Sequence, residues 1–378
     1  ELSLHPAPDS FVILPWRPQQ GKVARMICDI YQTNQKPYPL CSREILKQVI
    51  KEADEMGYEF VAGPECEFFL FLTDEDGRPT RLTHDRAGYF DLGPLDQGEN
   101  ARRDMVLTLE DMGFKVESSY HEAAPGQHEI DFHHFKGLEA ADSLMTFKFA
   151  VRTIAKRHGL HATFMPKPTT GENGSGMHIN CMLRDIDGKN IFYDEKNELG
   201  LSKTAYYFIG GILKHIRGMS LITNPLVNSY KRLVSGFEAP VFIGWSLKSK
   251  SQILRIPSSR GEKTKIELRS PDSSANPYLV LATILAAGLD GIKNKIYPPK
   301  NMEENLNNLT KTELTTRGVT LLPGNLDEAV HAFEEDPFLS QVLGSDFALR
   351  YAQMKKSEWE DYIKQVTDWE IDRYMYRI

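Results

Sequence analysis

Apolar residues recur with a helical period over 42–56, 98–112, 138–158, 203–218 and 276–295. Ser42 is placed to cap the first of these helices and Gly57 to end it. From Leu326 onward the chain reads as largely helical. Between the helices lie short runs with a strand period. Gly63-Pro64-Glu65-Cys66-Glu67-Phe68-Phe69-Leu70-Phe71 reads as one strand, because aliphatic and aromatic residues dominate after a Gly-Pro opening. Residues 114–120 and the alternating 127–133 flank a Pro125-Gly126 turn. A further strand, 177–183, follows a glycine-rich stretch, and Asp187-Gly188 marks a hairpin turn. Residues 1–31 read as short strands around Pro6, Pro8, Pro15 and Pro18, followed by a polar linker over 32–40. The pattern is α+β without internal repeats.

The strand period brings chemistry into view. Side chains alternate along a strand, so Glu65 and Glu67 share a face and Cys66 takes the other. Paired carboxylates on an apolar strand cost several kcal/mol to bury unless a cation compensates. A hard divalent ion, Mg²⁺ or Mn²⁺, prefers such oxygen ligands. Glu122 and Glu129 flank the Pro125-Gly126 reversal and could converge, with Asp131 and His133 on the face of Glu129 if that strand is regular. Gly171-Glu172-Asn173-Gly174-Ser175-Gly176-Met177-His178 can bring backbone N–H groups close to an anion, yet lacks the closing Gly-Lys-Ser/Thr of a P-loop. His178 would add a nitrogen to a carboxylate site. From Tyr230 to Asp272 the chain carries Lys231, Arg232, Lys248, Lys250, Arg255, Arg260, Lys265 and Arg269 around Glu238 and Glu267. Arginines beside a carboxylate–metal cluster suit phosphoryl chemistry, which needs charge neutralised on the transferring group. Each of these features alone also fits an ordinary solvated face or turn.

Composition narrows the class. A net charge of −7 over 378 residues argues against a nucleic-acid footprint. No apolar run approaches the length of a membrane span. Cys28, Cys41, Cys66 and Cys181 lack metal-ligand spacing and read as reduced thiols, with Cys66 a packing residue. A cytoplasmic enzyme is the expectation.

Taken in order, the motifs resemble the bacterial type I glutamine synthetases. They are Gly63-Pro64-Glu65-x-Glu67-Phe68-Phe69, His121-Glu122 with Gly126-Gln127-His128-Glu129, and Asn173-Gly-Ser-Gly-Met-His178. Lys231-Arg232-Leu233-Val234 with Glu238-Ala239-Pro240, and Glu267-Leu268-Arg269-Ser270-Pro271-Asp272 with Ala275-Asn276-Pro277-Tyr278, complete the set. The resemblance implies a catalytic domain over 36–378, whose curved antiparallel sheet forms an active-site funnel surrounded by helices. Asp9-Ser10-Phe11, Leu14-Pro15-Trp16 and Ala24-Arg25-Met26-Ile27-Cys28-Asp29 match the last part of the family's N-terminal β-grasp domain. Residues 1–35 are therefore expected to be a domain remnant of an N-terminally truncated chain. That chain would lack the aspartate-bearing loop which completes a neighbour's site. It would then make little or no glutamine, and would assemble more weakly than the family's dodecamer of two stacked hexamers.

The resemblance also implies roles. Glu67, Glu122 and Glu129 would hold one Mg²⁺ or Mn²⁺, and Glu65, His178 and Glu267 a second beside the ATP phosphates. Arg232 would bind the α-carboxylate of L-glutamate, with Asn173 and Gly174 positioning the amino acid. Arg269 would lie at its reacting end. Lys250 and Arg255 would contact phosphate, alongside His178. Glu238 would sit in a closing flap, accept a proton from ammonium and screen the acyl phosphate from water. Lys250 stands where many members have arginine and loses the bidentate fork. Asn180 replaces a histidine found in some members. Around Asn307 there is no tyrosine for adenylylation, and the ending Trp369-Glu370-Ile371-Asp372-x-Tyr374 resembles the branch without that control. Two alternatives stay open: a ligase joining glutamate to a polyamine or alkylamine, and a non-enzymatic relative of the same fold. The second should have lost metal carboxylates or the flap glutamate, and all are present.

Overall fold

The structure is a computed structural model describing residues 1–17 and 21–378, the side chain of Lys311 excepted; Pro18 lies outside the described residues. Ahead of the first helix stand two small antiparallel ribbons. β1 (Leu2–Pro6) pairs with β4 (Cys28–Gln32), and β2 (Val12–Ile13) with β3 (Ala24–Arg25). The body is built on two larger sheets. The first uses β5 (Glu59–Cys66), β10 (Phe135–Lys136), β12 (Met177–Arg184), β13 (Phe242–Ser246), β14 (Gln252–Arg255), β15 (Ile266–Leu268) and β16 (Thr320–Leu321). Their order is β10-β5-β12-β15-β14-β13-β16, antiparallel except for the parallel pair β13–β14. The second runs β11-β6-β9-β8 with β7 on β6. Its strands are β6 (Phe68–Thr73), β7 (Pro79–Thr83), β8 (Val116–His121), β9 (Gln127–Phe132) and β11 (Leu160–Thr163).

The run over 63–71 is therefore two strands, not one. β5 ends at Cys66, β6 begins at Phe68, and the two enter different sheets. Glu67 breaks the ladder because its polar groups are met elsewhere. Its N–H donates to Gly176 O (3.1 Å), and its carboxylate accepts from Gly176 N–H (2.9 Å) and Gln127 Nε2 (2.8 Å). A buried backbone group must find a partner, and here it finds one across the junction.

Helices cover the sheets: α1 (Ser42–Glu55), α2 (Glu99–Asp111), α3 (Gly137–Arg157), α4 (Lys203–Thr223), α5 (Ser229–Arg232) and α6 (Pro277–Asn294). The C-terminal part is helical as expected, with α7 (Lys311–Thr316), α8 (Leu326–Glu334), α9 (Pro337–Leu343), α10 (Ser345–Tyr362) and α11 (Asp368–Tyr374). Ser42 does not cap α1; Cys41 occupies that position without a side-chain bond, and Ser42 is the first helical residue. Gly57 does end the helix, at φ +79°. α4 runs five residues past Gly218. That glycine is a close-approach point, not a terminator: a Cβ there would lie 2.7 Å from Leu339 Cδ1. Asp187-Gly188 forms a tight turn, and the chain returns antiparallel over a short stretch, with the bridge Arg184–Asn190 flanked by bonds from Asp185 N–H to Lys189 O (2.9 Å) and from Ile191 N–H to Leu183 O (3.0 Å).

α4 and α6 pack at very short range. A Cβ on Gly211 would collide with Ala287 O and lie 2.7 Å from Gly291 N; one on Gly291 would collide with Tyr207 O. Cores of this density do not absorb an added methyl freely. Gly211→Ala is expected to lower stability by about 1–3 kcal/mol, measured from the urea unfolding midpoint. An unchanged midpoint would mean the two helices can part without loss.

Candidate active site

Strand register assembles the site. β5 and β12 run antiparallel with Glu65 opposite His178. β12 and β15 place Asn180 opposite Glu267, and β14 places Arg255 opposite that same glutamate. In the other sheet β8 and β9 set Tyr120 opposite Glu129. Glu67, at the junction, points into the cleft between the two sheets. The cleft has a volume of about 150 Å³ and a mostly polar lining.

Two donor groups form within it. Glu67, Glu122 and Glu129 each bring an oxygen within 4.8 Å of the others. Glu65, His178 and Glu267 do the same, with His178 Nδ1 3.5 Å from Glu65 and 3.8 Å from Glu267. His178 Nε2 also lies 4.0 Å from Glu67 Oε1, so the imidazole stands between the groups. Burial, and then the charge of Glu122, push Glu67 up to about 8. Burial, then Asp131, Glu67 and Glu65, push Glu129 well up, and burial raises Glu122. Burial and Arg269 hold His178 well below its usual range, so its ring is neutral and offers a lone pair. Clustered carboxylates driven towards their protonated forms, beside a neutral imidazole, are the donor sets a hard divalent cation fits.

The cations of the protein face this cluster. Glu267 is fully buried between Arg255 Nε (2.5 Å) and Arg269 Nη1 (2.7 Å). Arg232 is buried and donates to the backbone carbonyls of Ser270 (2.9 Å), Arg269 (3.2 Å) and Pro271 (3.3 Å), none of which carries a full charge. Its positive charge remains without an anionic partner in these bonds. Lys250 and Glu238 line the same cleft. Glu238 has φ +54° and Gly236 φ +97°. A non-glycine residue held in the left-handed region is strained, and such residues concentrate at functional segments.

Asn173 and Gly174 line the cleft beside Arg232. Gly174 must be glycine: a Cβ there would collide with Pro166 O and lie 3.1 Å from Arg232 Cγ. The structure thus brings Glu65, Glu67, Glu122, Glu129, Asn173, Gly174, His178, Arg232, Glu238, Lys250, Arg255 and Arg269 to one cleft. Glu267 is buried and does not itself line the cleft, but its carboxylate groups with the lining residues Glu65 and His178. His133 does not join them. β9 stops at Phe132, and His133 turns out to an exposed contact with Glu117 (3.2 Å). Asp131 does join the acidic side, held by Ser118 Oγ at 2.5 Å, and burial with Glu65 raises it. Arg260 is spent on the carbonyls of Leu199 and Ser259, away from the cleft. Asn180 donates to Glu65 Oε1 (2.6 Å), which gives it a positioning part rather than a phosphate contact.

Tyr89, Tyr120, Gln127 and Phe237 also line the cleft. Gln127 was accessible from sequence, since it shares a strand face with Glu129; it ties Glu67 to Gly174 O (3.1 Å). Tyr89 sits in a loop with no period to reveal it. Behind the β8–β9 hairpin, Asp85 accepts from Gly126 N–H (2.9 Å) and from His121 Nε2 (3.2 Å). Burial works to raise Asp85, but His121 and His84 beside it hold its carboxyl well below the usual range. His121 Nδ1 then donates to Glu122 O (2.7 Å) and so fixes Glu122 from behind.

The sequence signature described as glutamine synthetase, catalytic domain, matches residues 39–374. A glutamine synthetase of Clostridium saccharobutylicum is 55% identical over 375 residues, 99% of this chain and 84% of that protein. One from Staphylococcus aureus strain MW2 is 51% identical over 377 residues, again 99% and 84%. Among solved structures, a complex of a protein named GmaS with ADP superposes with a TM-score of 0.89 at 35% identity, covering 99% of this chain and 85% of that one.

Cation uptake should strip protons from these carboxylates. The folded, cation-free chain keeps Glu67 protonated up to about 8, whereas its ordinary value is 4.5. Between those values rising pH therefore disfavours the cation-free fold at this residue and favours cation binding. Mg²⁺ or Mn²⁺ is expected to raise the melting temperature more at pH 8 than at pH 6. Calorimetry at pH 7, in buffers of different ionisation enthalpy, should record net proton release. Zero release would mean that Glu67 is already ionised.

Proposed function

This chain belongs to the glutamine synthetase family, and from that premise we propose that it joins ammonia to the γ-carboxylate of L-glutamate at the expense of ATP, giving L-glutamine, ADP and phosphate. The observation that carries this reading is the meeting of two carboxylate groups suited to divalent cations with Arg232, Lys250, Arg255, Arg269 and Glu238 in one cleft. A carboxylate is a poor acyl donor, and ATP serves to convert its oxygen into a phosphate leaving group.

Arg232 takes the substrate α-carboxylate, an anion whose two oxygens match the guanidinium fork. Asn173 and Gly174 orient the amino acid. Lys250 and Arg255 hold the transferring phosphoryl oxygens, and Arg269 stands at the reacting end. Glu67, Glu122 and Glu129 would hold one divalent cation, and Glu65, His178 and Glu267 another. When bound, these ions neutralise negative charge on the phosphates and on the developing transition state. The γ-carboxylate oxygen attacks the γ-phosphorus and ADP leaves. Ammonia then attacks the γ-carbonyl carbon, Glu238 accepts a proton from the nitrogen, and the C–O bond to phosphate breaks. The flap over 236–240 keeps water from that carbon.

A second reading has one specific support. GmaS is a γ-glutamylmethylamide synthetase, so a related fold takes an alkylamine. Identity to the named glutamine synthetases is higher, and we place ammonia first. Residues 36–378 form the catalytic unit in this reading, and the working assembly is two stacked six-membered rings. No helix among the described residues is long and apolar enough to cross a membrane.

The full protein, assayed with ammonium, methylamine and putrescine at saturating ATP and glutamate, should prefer ammonium; preference for methylamine would transfer the assignment to the second reading. Glu238→Ala should keep nucleotide and cation binding while losing about 10²–10⁴-fold in amide formation. Turnover at the wild-type rate would remove Glu238 from the mechanism.

A further inference from the structure

Lys167 lies outside the cleft lining but touches three elements that shape it. Its backbone is clamped on both sides by one residue: its N–H donates to Asn228 Oδ1 (2.7 Å), and its carbonyl accepts from Asn228 Nδ2 (3.1 Å). Asn228 immediately precedes α5, which ends in Arg232. The Lys167 ammonium donates to Glu172 O, at the head of the loop that presents Asn173 and Gly174. The same ammonium sits over the ring of Phe237, 3.8 Å from its centroid, well within the distance at which a cation is drawn to an aromatic face. Phe237 is the flap residue between Gly236 and Glu238, whose left-handed backbone needs outside contacts to hold it. It also lines the cleft.

We propose that Lys167 is a positioning residue that latches the flap through Phe237 onto the amino-acid loop, and so keeps water from competing with the amine for the acyl phosphate. The proposal rests on the ligase reading above. A rigid backbone clamp, a carbonyl contact on the substrate loop and a ring contact on the flap converge on one ammonium. Releasing the ring leaves the flap without this anchor while the cation-binding carboxylates and the phosphate-binding arginines stay in place. Water then attacks the γ-carbonyl carbon of γ-glutamyl phosphate and the C–O bond to phosphate breaks. Glutamate and phosphate are returned, so ATP is spent without amide.

The measurement is the ratio of ATP consumed to amide formed by the full protein. Wild type should stay near one. Lys167→Met should raise the excess of that ratio over one, which is hydrolysis divided by amide formation, by about two- to thirty-fold, the range expected for losing a contact of this kind. Lys167→Arg, which can still stack on the ring, should restore coupling. Phe237→Leu should uncouple as Lys167→Met does, and the double variant should be no worse than either single one. A lower rate at an unchanged ratio in Lys167→Met would reduce the residue to a structural part and overturn the latch, as would additive effects in the double variant. Hydrogen exchange at 236–239 without substrates gives a readout independent of the reaction. Faster exchange in Lys167→Met but not in Lys167→Arg is expected, and equal exchange in all three proteins overturns the proposal. Should wild type consume no ATP with any amine, the ligase reading falls, while the exchange result still decides the latch.

Discussion

Glu67 sits where the two sheets part, and the satisfaction of its polar atoms underlies the rest of the architecture. Its N–H and its carboxylate both bond to Gly176. Its carbonyl accepts from Ser273 Oγ at 2.8 Å, and that hydroxyl also lies 2.7 Å from Gly176 O. The buried Lys148 ammonium donates to Ser273 O (2.6 Å), bracing the junction from below. One acidic residue thereby links β5, β6, β12 and the turn before α6. Without these bonds the strand period would carry Glu67 onward in a single sheet, and the cleft would not open.

Electrostatics follow from that geometry. Gathering acidic residues at one junction raises their proton affinities through burial and mutual repulsion. The fold offsets part of this with Arg255 and Arg269 on Glu267, and holds Arg232 by bonds to backbone carbonyls while the charges of Glu67 and Asp272 attract it. Ionised pairs in the interior are weak evidence of stability, because desolvation opposes their attraction. Their arrangement makes more sense as charge held ready for anionic and cationic ligands than as reinforcement of the core.

Much of this was legible from the chain, for identifiable reasons. Helices with a long apolar period appeared within a few residues of their true ends, because burial of one face dictates them. The acidic residues were legible as pairs, since a period of two places Glu65 with Glu67 and Glu129 with Asp131. The change of sheet at Glu67 was not, because it depends on Gly176 and Gln127, which are remote in sequence. His133 misled for a related reason: period alone cannot tell where a strand stops, and here pairing ends at Phe132. At Gly218 within α4, Leu339 and Ala332 from a later part of the chain approach too closely for a Cβ, so the glycine serves packing and does not end the helix. Tyr89 and Lys167 occupy irregular segments, where only three-dimensional proximity gives them meaning.

The site is written largely in register: Glu65 against His178, Asn180 and Arg255 against Glu267, Tyr120 against Glu129. Side chains alternate with a period of two, so inserting or deleting one residue within β12 would turn its whole inward set to the opposite face. Substitution at one of these positions removes one group; a change of length removes the constellation. A change of length is therefore expected to be tolerated in the connections, such as the turn around Gly188, and not in the central strands, which behave as a fixed-length ruler.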